Sequence, residues 1–380
     1  MTFELSPEHE AFRKVVREFA EAEIAPHAGA WDRAHHFPVE TVHKMGDLGL
    51  FGLPFEEKYG GSDADFTSLC VAIEEIGRVD QSMGITLEAG VGLGISPIHA
   101  YGTEEQKERW LPDLVTGRRL AAFGLTEPDA GSDTAAMRTR GVLDGEEWSI
   151  TGTKAFITNS GSDITSVITV AARTGPEEIS AILVPAGTAG LTVEPPYDKL
   201  GWHASDTHGL AFDDCRVPAA NLLGERGRGI HMLLATLDDG RIAVAALALG
   251  LARACLEASV EYAKTRQAFG GPIGRNQAVA FHCADLEVMV SAAHLLTYKA
   301  AALKDAGKPV KQAASVAKLY ASEAAVSAAR IATQIHGGMG FMEESPVARF
   351  YRDAKILEIG EGTSEIQRLV ISRGLGLPVA

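Results

Sequence analysis

Cysteine is scarce in this chain. Cys70, Cys215, Cys255 and Cys283 stand far apart with no CxxC pair, which argues against a zinc ribbon or a dithiol redox motif. They read as small buried side chains in a reducing compartment. Positive charge is also in deficit. The 35 Lys and Arg face 50 Asp and Glu, a net charge of −15, and no stretch is rich in Lys and Arg. This disfavours a nucleic-acid or anionic-membrane surface, because neutralising phosphates needs positive charge. Long apolar runs are missing too. The longest, Ile242 to Ala252, is closed by Arg241 and Arg253 and is shorter than the ~20 residues of a membrane span. The N-terminus carries Glu4, Glu8 and Glu10 without an apolar segment, unlike a secretory signal. A soluble, cytoplasmic protein with no membrane span and no nucleic-acid partner is expected.

The common chemical motifs are absent as well. No GxGxxG lies between a strand and a helix. Gly90, Gly92 and Gly94 spell only G-x-G-x-G, in helical surroundings. There is no GxxxxGK[ST], no HExxH and no GxSxG. His35–His36 and His203/His208 are the densest histidine sets and lack further ligands, so no metal site is expected. Glycine, by contrast, is plentiful: 40 of 380 residues, above the usual ~7%, which predicts many sharp turns and close backbone approaches.

The apolar spacing divides the chain in three. Residues 1–118 read as helical. Ser6-Pro7 looks like a cap followed by proline, and Phe12, Val15, Val16 and Phe19 recur at helical spacing. Pro26 is expected to help end that helix and Pro38 to open another. Thr103 to Gln106 fits a capping box. Residues 119–228 carry short Thr/Val/Ile-rich runs between turn signals such as Asp144-Gly145 and Pro195-Pro196, an antiparallel β pattern. Residues 229–380 return to long helical stretches. Ile242 to Leu256 is apolar nearly all round and should be buried on most sides. The predicted architecture is α+β: an N-terminal α-helical domain, a central antiparallel β-domain and a C-terminal up-and-down four-helix bundle.

Four segments are more specific. They are FGLTEPDAGSD from Phe123 to Asp133; GTKAFITN from Gly152 to Asn159; RQAFG from Arg266 to Gly270, followed by Gln277; and QIHGGMG from Gln334 to Gly340. YRDAK from Tyr351 and GEGTSEIQ from Gly360 to Gln367 follow the last. In this order and spacing the chain resembles the acyl-CoA dehydrogenase family over essentially its whole length. The resemblance implies bound FAD and an acyl-CoA substrate. It implies α,β-dehydrogenation to a trans-2-enoyl-CoA, with hydride transfer to flavin N5 and electrons passed to an electron-transfer flavoprotein. It also implies a homotetramer built as a dimer of dimers. An acyl-CoA oxidase that uses O2, and a non-catalytic flavin-fold protein, are the competing readings. The single-module length favours the dehydrogenase, and the negative charge disfavours a DNA-associated relative.

The site residues carry over by motif. Glu361, between Gly360 and Gly362, is the candidate base. Some family members place the base on an earlier helix, where this chain has Gly240, which has no side chain to act. Phe123, Leu125, Thr126, Gly131 and Ser132 resemble the loop at the flavin ring, with Ser132 also near the coenzyme A arm. Thr158 matches the threonine near flavin N5, and Phe156 stands where tryptophan is frequent. Arg266, Phe269 and Gln277 resemble the pyrophosphate and adenine site, shared across a dimer interface. Gln334, Gly337 and Gly338 resemble a backbone cradle for the same cofactor, and Thr363 and Glu365 return to the flavin. Asp238, Arg241 and Gly362 join Ser132 as substrate contacts. A glutaryl-specific arginine is replaced by Gly84, so a dicarboxylate is not favoured. Gly360 replaces a frequent tyrosine: it either leaves space for a branched or bulky acyl group or serves only backbone freedom beside Glu361.

Overall fold

A computed structural model describes residues 5–379; Glu4 of the early acids lies outside the described residues. The first helix, α1 (Pro7–Phe19), starts as expected: the Ser6 side chain accepts from the His9 amide and proline fills the first turn. Pro26 does not end it. The chain passes through one π-helical stretch, Ala20–Ile24, into α2 (Ala25–Ala34), with Pro26 in the first turn of α2. A proline there has no N–H to leave unpaired, so helicity continues across it. Next come α3 (Val39–Asp47), α4 (Phe66–Val79) and α5 (Gln81–Glu88). The glycine-rich stretch after α5 is π-helical, Ala89–Ile95, and leads to α6 (Ser96–Tyr101). The capping box opens α7 (Glu104–Val115). Its Gln106 has a second task, donating Nε2 to the carbonyls of Ala220 and Leu222 at 2.8 and 2.9 Å. One side chain thus caps a helix and fastens it to the β region.

The β region is one sheet of eight strands: β1 (Leu120–Gly124), β2 (Arg140–Asp144), β3 (Glu147–Thr158), β4 (Thr165–Arg173), β5 (Ile179–Pro185), β6 (Leu191–Pro196), β7 (Thr207–Pro218) and β8 (Leu222–Leu223). The spatial order is β6-β7-β3-β2-β4-β5-β8, with β1 also on β4. Most pairings are antiparallel, as the short runs predict. β1 on β4 is parallel, as is the single β2–β4 bridge, so the sheet is mixed. Alternate residues of β4 face two cores, as the period of two requires. Val167 and Ala171 join the large helical core, while Ile168, Val170 and Ala172 join a second core with Trp148 and Phe212.

The last region holds α8 (Gly229–Thr265), a short ribbon of β9 (Gln267–Ala268) and β10 (Gly271–Pro272), α9 (Gln277–Asp305), α10 (Lys311–His336), α11 (Pro346–Ala354) and α12 (Ser364–Gly374). Three long helices pack together, and the shorter α12 lies against α10. By length and composition α8 and α9 each reach the threshold for a membrane span that the run Ile242 to Ala252 alone does not. Their environments differ. The apolar stretch of α8 is 78% buried in the chain, that of α9 only 17%.

Glycine lets the layers close. At Gly250 of α8, a Cβ would collide with the Glu74 carbonyl of α4. Gly250→Ala is expected to separate α8 from α4 and destabilise the protein by about 1–3 kcal/mol, the usual cost of overpacking. Thermal unfolding checks this; an unchanged midpoint contradicts it.

Candidate active site

Glu361 sits in a strained turn. Its φ is +54°, followed by Gly362 at +96° and the Thr363 cap of α12. A non-glycine residue in the left-handed region costs on the order of 1–2 kcal/mol, so neighbours must hold it. Gln367 donates Nε2 to the Gly362 carbonyl at 2.8 Å, and Lys318 of α10 donates Nζ to the same oxygen at 2.8 Å. The turn is therefore pinned although glycines flank Glu361.

The Glu361 side chain crosses to α8. A Cβ built on Gly240 would collide with Glu361 Oε2. Gly240, the alternative base position that the resemblance points to, thus faces the Glu361 carboxylate. Both carboxylate oxygens are buried. Burial raises the proton affinity of Glu361 above the ordinary carboxylate range, while the neighbouring Glu88 carboxyl group and the charges of Lys318 and Arg241 act the other way. Arg241 is 5% exposed and pairs with Asp238 one turn earlier. Burial lowers Lys318 to about 8, although Glu361 favours its charged form.

The helix that leads toward this turn, α11, is itself held in place. Arg349 donates to Asp80 and to the Val79 carbonyl, Arg352 pairs with Asp32, and Asp353 accepts from the Trp202 amide at 2.7 Å. Asp80 is in addition the cap of α5, accepting from the Met83 amide. One nine-residue helix is clamped to the N-terminal helices and to the loop before β7.

The loop after β1 is held by a buried ion pair. Glu127 accepts from the amides of Arg138 and Thr139 and from Lys154 Nζ at 2.8 Å, and Lys154 also donates to the Leu125 carbonyl. This fixes Phe123, Leu125 and Thr126 against β3, where the Thr126 carbonyl accepts from the Ala155 amide. Gly131 and Ser132 project outward and are exposed. On β3, Phe156 has a φ of +62°, is 65% exposed and lies against Tyr197. Thr158 is half-buried, and the next residue, Asn159, donates to the Thr86 carbonyl of α5. The ring-side loop, Thr158 and the α5 end of the Glu361 site are thereby connected.

The remaining residues lie apart. Arg266, Phe269 and Gln277 are exposed around the β9–β10 ribbon, with Phe269 99% exposed at a φ of +51°. The ring stack of Tyr262 on His336 brings this end of α8 beside Gln334, Gly337 and Gly338. At both glycines a Cβ would meet nothing within 4 Å, so the backbone there is open. No described contact joins this group to Glu361. Thr363 spends its hydroxyl on the Ile366 amide, and Glu365 is exposed.

Three residues of the site escape a reading of motifs: Glu88, Lys318 and Gln367. Gln367 ends a quoted segment, but its packing role has no sequence signal. Glu88 and Lys318 are charged residues on apolar helix faces, a weak sign of function that only contact resolves.

Comparison with known proteins decides the family. Residues 6–118 match the acyl-CoA dehydrogenase N-terminal domain, 122–215 the middle domain and 227–376 the C-terminal domain. The chain belongs to the acyl-CoA dehydrogenase family. It is 49% identical over 378 residues to "Probable acyl-CoA dehydrogenase YngJ" of Bacillus subtilis, covering 99% of this chain and all of that protein. The butyryl-CoA dehydrogenase structure from Megasphaera elsdenii superposes with a TM-score of 0.96 at 42% identity, covering 99% of this chain and 100% of the other. The glutaryl-CoA dehydrogenase from Mycobacterium smegmatis in complex with FADH2 superposes at 0.94 and 32% identity, covering 98% and 95%. This acyl-CoA dehydrogenase is therefore an oxidoreductase acting on acyl-CoA.

In this acyl-CoA dehydrogenase the Glu127–Lys154 pair is the clearest structural support of the site. Lys154→Met would leave Glu127 buried without its cation and is expected to cost about 3–5 kcal/mol. Chemical denaturation measures this; a loss under 1 kcal/mol would show that the two backbone amides alone satisfy Glu127.

Proposed function

We propose that the chain is an FAD-dependent dehydrogenase of short or branched acyl-CoA thioesters, with Glu361 as the base and an electron-transfer flavoprotein as acceptor. The observation that carries this is the Glu361 carboxylate. It is buried, pinned at a left-handed turn and aimed into the gap left by Gly240. The butyryl-CoA of one solved relative and the FADH2 bound to another agree with the reading.

The residues present fit FAD. The ordered Phe123–Thr126 loop and Thr158 offer a ring-side wall, and Gly337 and Gly338 offer open backbone for a pyrophosphate. When bound, FAD supplies the acceptor for the β hydride. The chain supplies the rest. The α proton of a thioester is weakly acidic, so a base must sit at the Cα within hydrogen-bond reach. Glu361 is suited to this because burial raises its proton affinity toward working pH. Arg241 and Lys318 keep a fraction ionised, and the pinned turn sets its direction. Activity should be lost as pH falls through the Glu361 titration, because only the carboxylate accepts a proton.

Assembly is part of the same proposal. Phe281, Val288 and Leu295 recur every seven residues on α9 and are 61%, 66% and 45% exposed. Such a stripe fits burial against another copy in a dimer of dimers, and the bare Phe269 fits a cofactor site completed by that copy. A cytoplasmic setting agrees with four unpaired cysteines.

Gly360 bears on the substrate. Its φ is not in the left-handed region, and a Cβ there would meet only the Ile356 carbonyl at 3.5 Å. The position is open space, not a turn that requires glycine.

Two results test these assignments. Glu361→Gln preserves shape and should keep FAD and acyl-CoA binding while flavin reduction falls at least ~10³-fold; a near wild-type rate in stopped-flow moves the base elsewhere. Gly360→Tyr should lower kcat/KM for branched or bulky thioesters at least ~10-fold, and that of a straight short chain much less. Equal losses across a thioester panel would remove Gly360 from the pocket.

A further inference from the structure

Glu88 has no assigned part in the reaction, yet it neighbours Glu361. The residue ends α5, is 0% exposed, and faces Glu361. Among the described residues, no N–H or O–H from any other group reaches either oxygen of Glu88 or of Glu361. Two carboxyl groups are thus sealed together with only their own proton to share.

We propose that Glu88 is a positioning residue for the Glu361 base: its protonated carboxyl group donates a hydrogen bond to the Glu361 carboxylate and keeps that base ionised and aimed until substrate arrives. The proposal rests on Glu361 being the base.

The charges around the pair decide which member holds the proton. Two adjacent buried carboxylates do not both ionise. Lys318 from α10 and Arg241 from α8 face Glu361. Among the described residues, no cation acts on Glu88, whose only ionisable neighbour is Glu361. Asp238 is engaged by Arg241, while Glu358 and Glu365 act on Lys318 from the turn and from α12. Residues 81–95, which carry Glu88, hold no other charged side chain. The proton belongs on Glu88 and the negative charge on Glu361.

The donor is rigid. Asp80 caps the start of α5 and is paired with Arg349 of α11, and the Thr86 carbonyl accepts from Asn159. Gly92 in the following π turn leaves room, since a Cβ there would stand 3.2 Å from Glu88 Oε1. π-helical turns recur at functional sites.

The proton count closes. When the substrate Cα–H bond breaks, its electron pair stays on the acyl group and its proton goes to a Glu361 oxygen. Glu88 keeps its own proton throughout. A hydrogen bond to the ionised form lowers the proton affinity of Glu361, so removing the donor moves the acidic limb of the rate profile to higher pH.

The test uses the flavin-loaded enzyme. Glu88→Gln keeps a donor but cannot titrate. Glu88→Met matches the volume and has no donor. The pH profile of acyl-CoA-dependent flavin reduction is expected to be near wild type for Glu88→Gln and shifted up by about one unit, tenfold in proton affinity, for Glu88→Met. Superimposable profiles for all three overturn the proposal and leave Glu88 as filler. Infrared difference spectra give a readout that does not need turnover or the Met variant. Subtracting the Glu88→Gln spectrum at neutral pH cancels bands common to both proteins, that of Asp353 included, and should leave a protonated carboxylic-acid band of Glu88 in wild type and in Glu361→Gln. A subtraction that leaves no such band overturns the proposal. Wild-type flavin reduction by Glu361→Gln would instead defeat the base assignment, and the infrared band still reports separately on the Glu88 proton.

Discussion

A buried carboxylate on a strained turn is the constraint to which the rest of this structure answers. Glu361 is costly twice, in backbone conformation and in desolvation. The Gly362 carbonyl takes one hydrogen bond from Lys318 and another from Gln367, so the turn cannot relax without breaking contacts to α10 and α12. Gly240 is the complementary half: the space opposite the carboxylate exists because α8 has no side chain there.

Holding one side chain this way needs the domains locked together. The clamp is α11, whose Arg349, Arg352 and Asp353 reach Asp80, Asp32 and the Trp202 amide. These are buried or half-buried charged contacts, which contribute to register more than to net stability. Asp353 is itself pushed up to about 7 by burial. The N-terminal helices add their own lock, where Glu74 of α4 meets Arg13 of α1, Arg253 of α8 and Tyr298 of α9. Small residues at Gly77, Gly84 and Gly250 allow these helices to approach closely enough for such bonds to form.

Much of this was legible in the sequence, for identifiable reasons. Caps are local, so Ser6-Pro7 and the Thr103–Gln106 box could be read directly, and both are in place. The alternation of β3 and β4 and the all-round apolar face of α8 are patterns of fixed period. Pro26 misled because a proline in the first turn of a new helix and a proline that ends one look alike in sequence. The parallel pairing of β1 with β4 depends on contacts 45 residues apart (Leu120 with Thr165), which no local pattern encodes. The motif carrying Glu361 stood out, whereas Glu88 and Lys318 lie on helices whose periodicity marks them only as interior positions. Which charges they face is a matter of three-dimensional packing.

The reaction assigned to Glu361 is removal of a proton from the α carbon of a bound thioester. Deuterium entry from D2O into the α position of an acyl-CoA that cannot lose a β hydride, followed by NMR, isolates that step from flavin reduction. The wild-type holoenzyme should incorporate deuterium, faster as pH rises through the titration of Glu361, and Glu361→Gln should bind the same thioester without exchange. Exchange at equal rates in both proteins would contradict the claim.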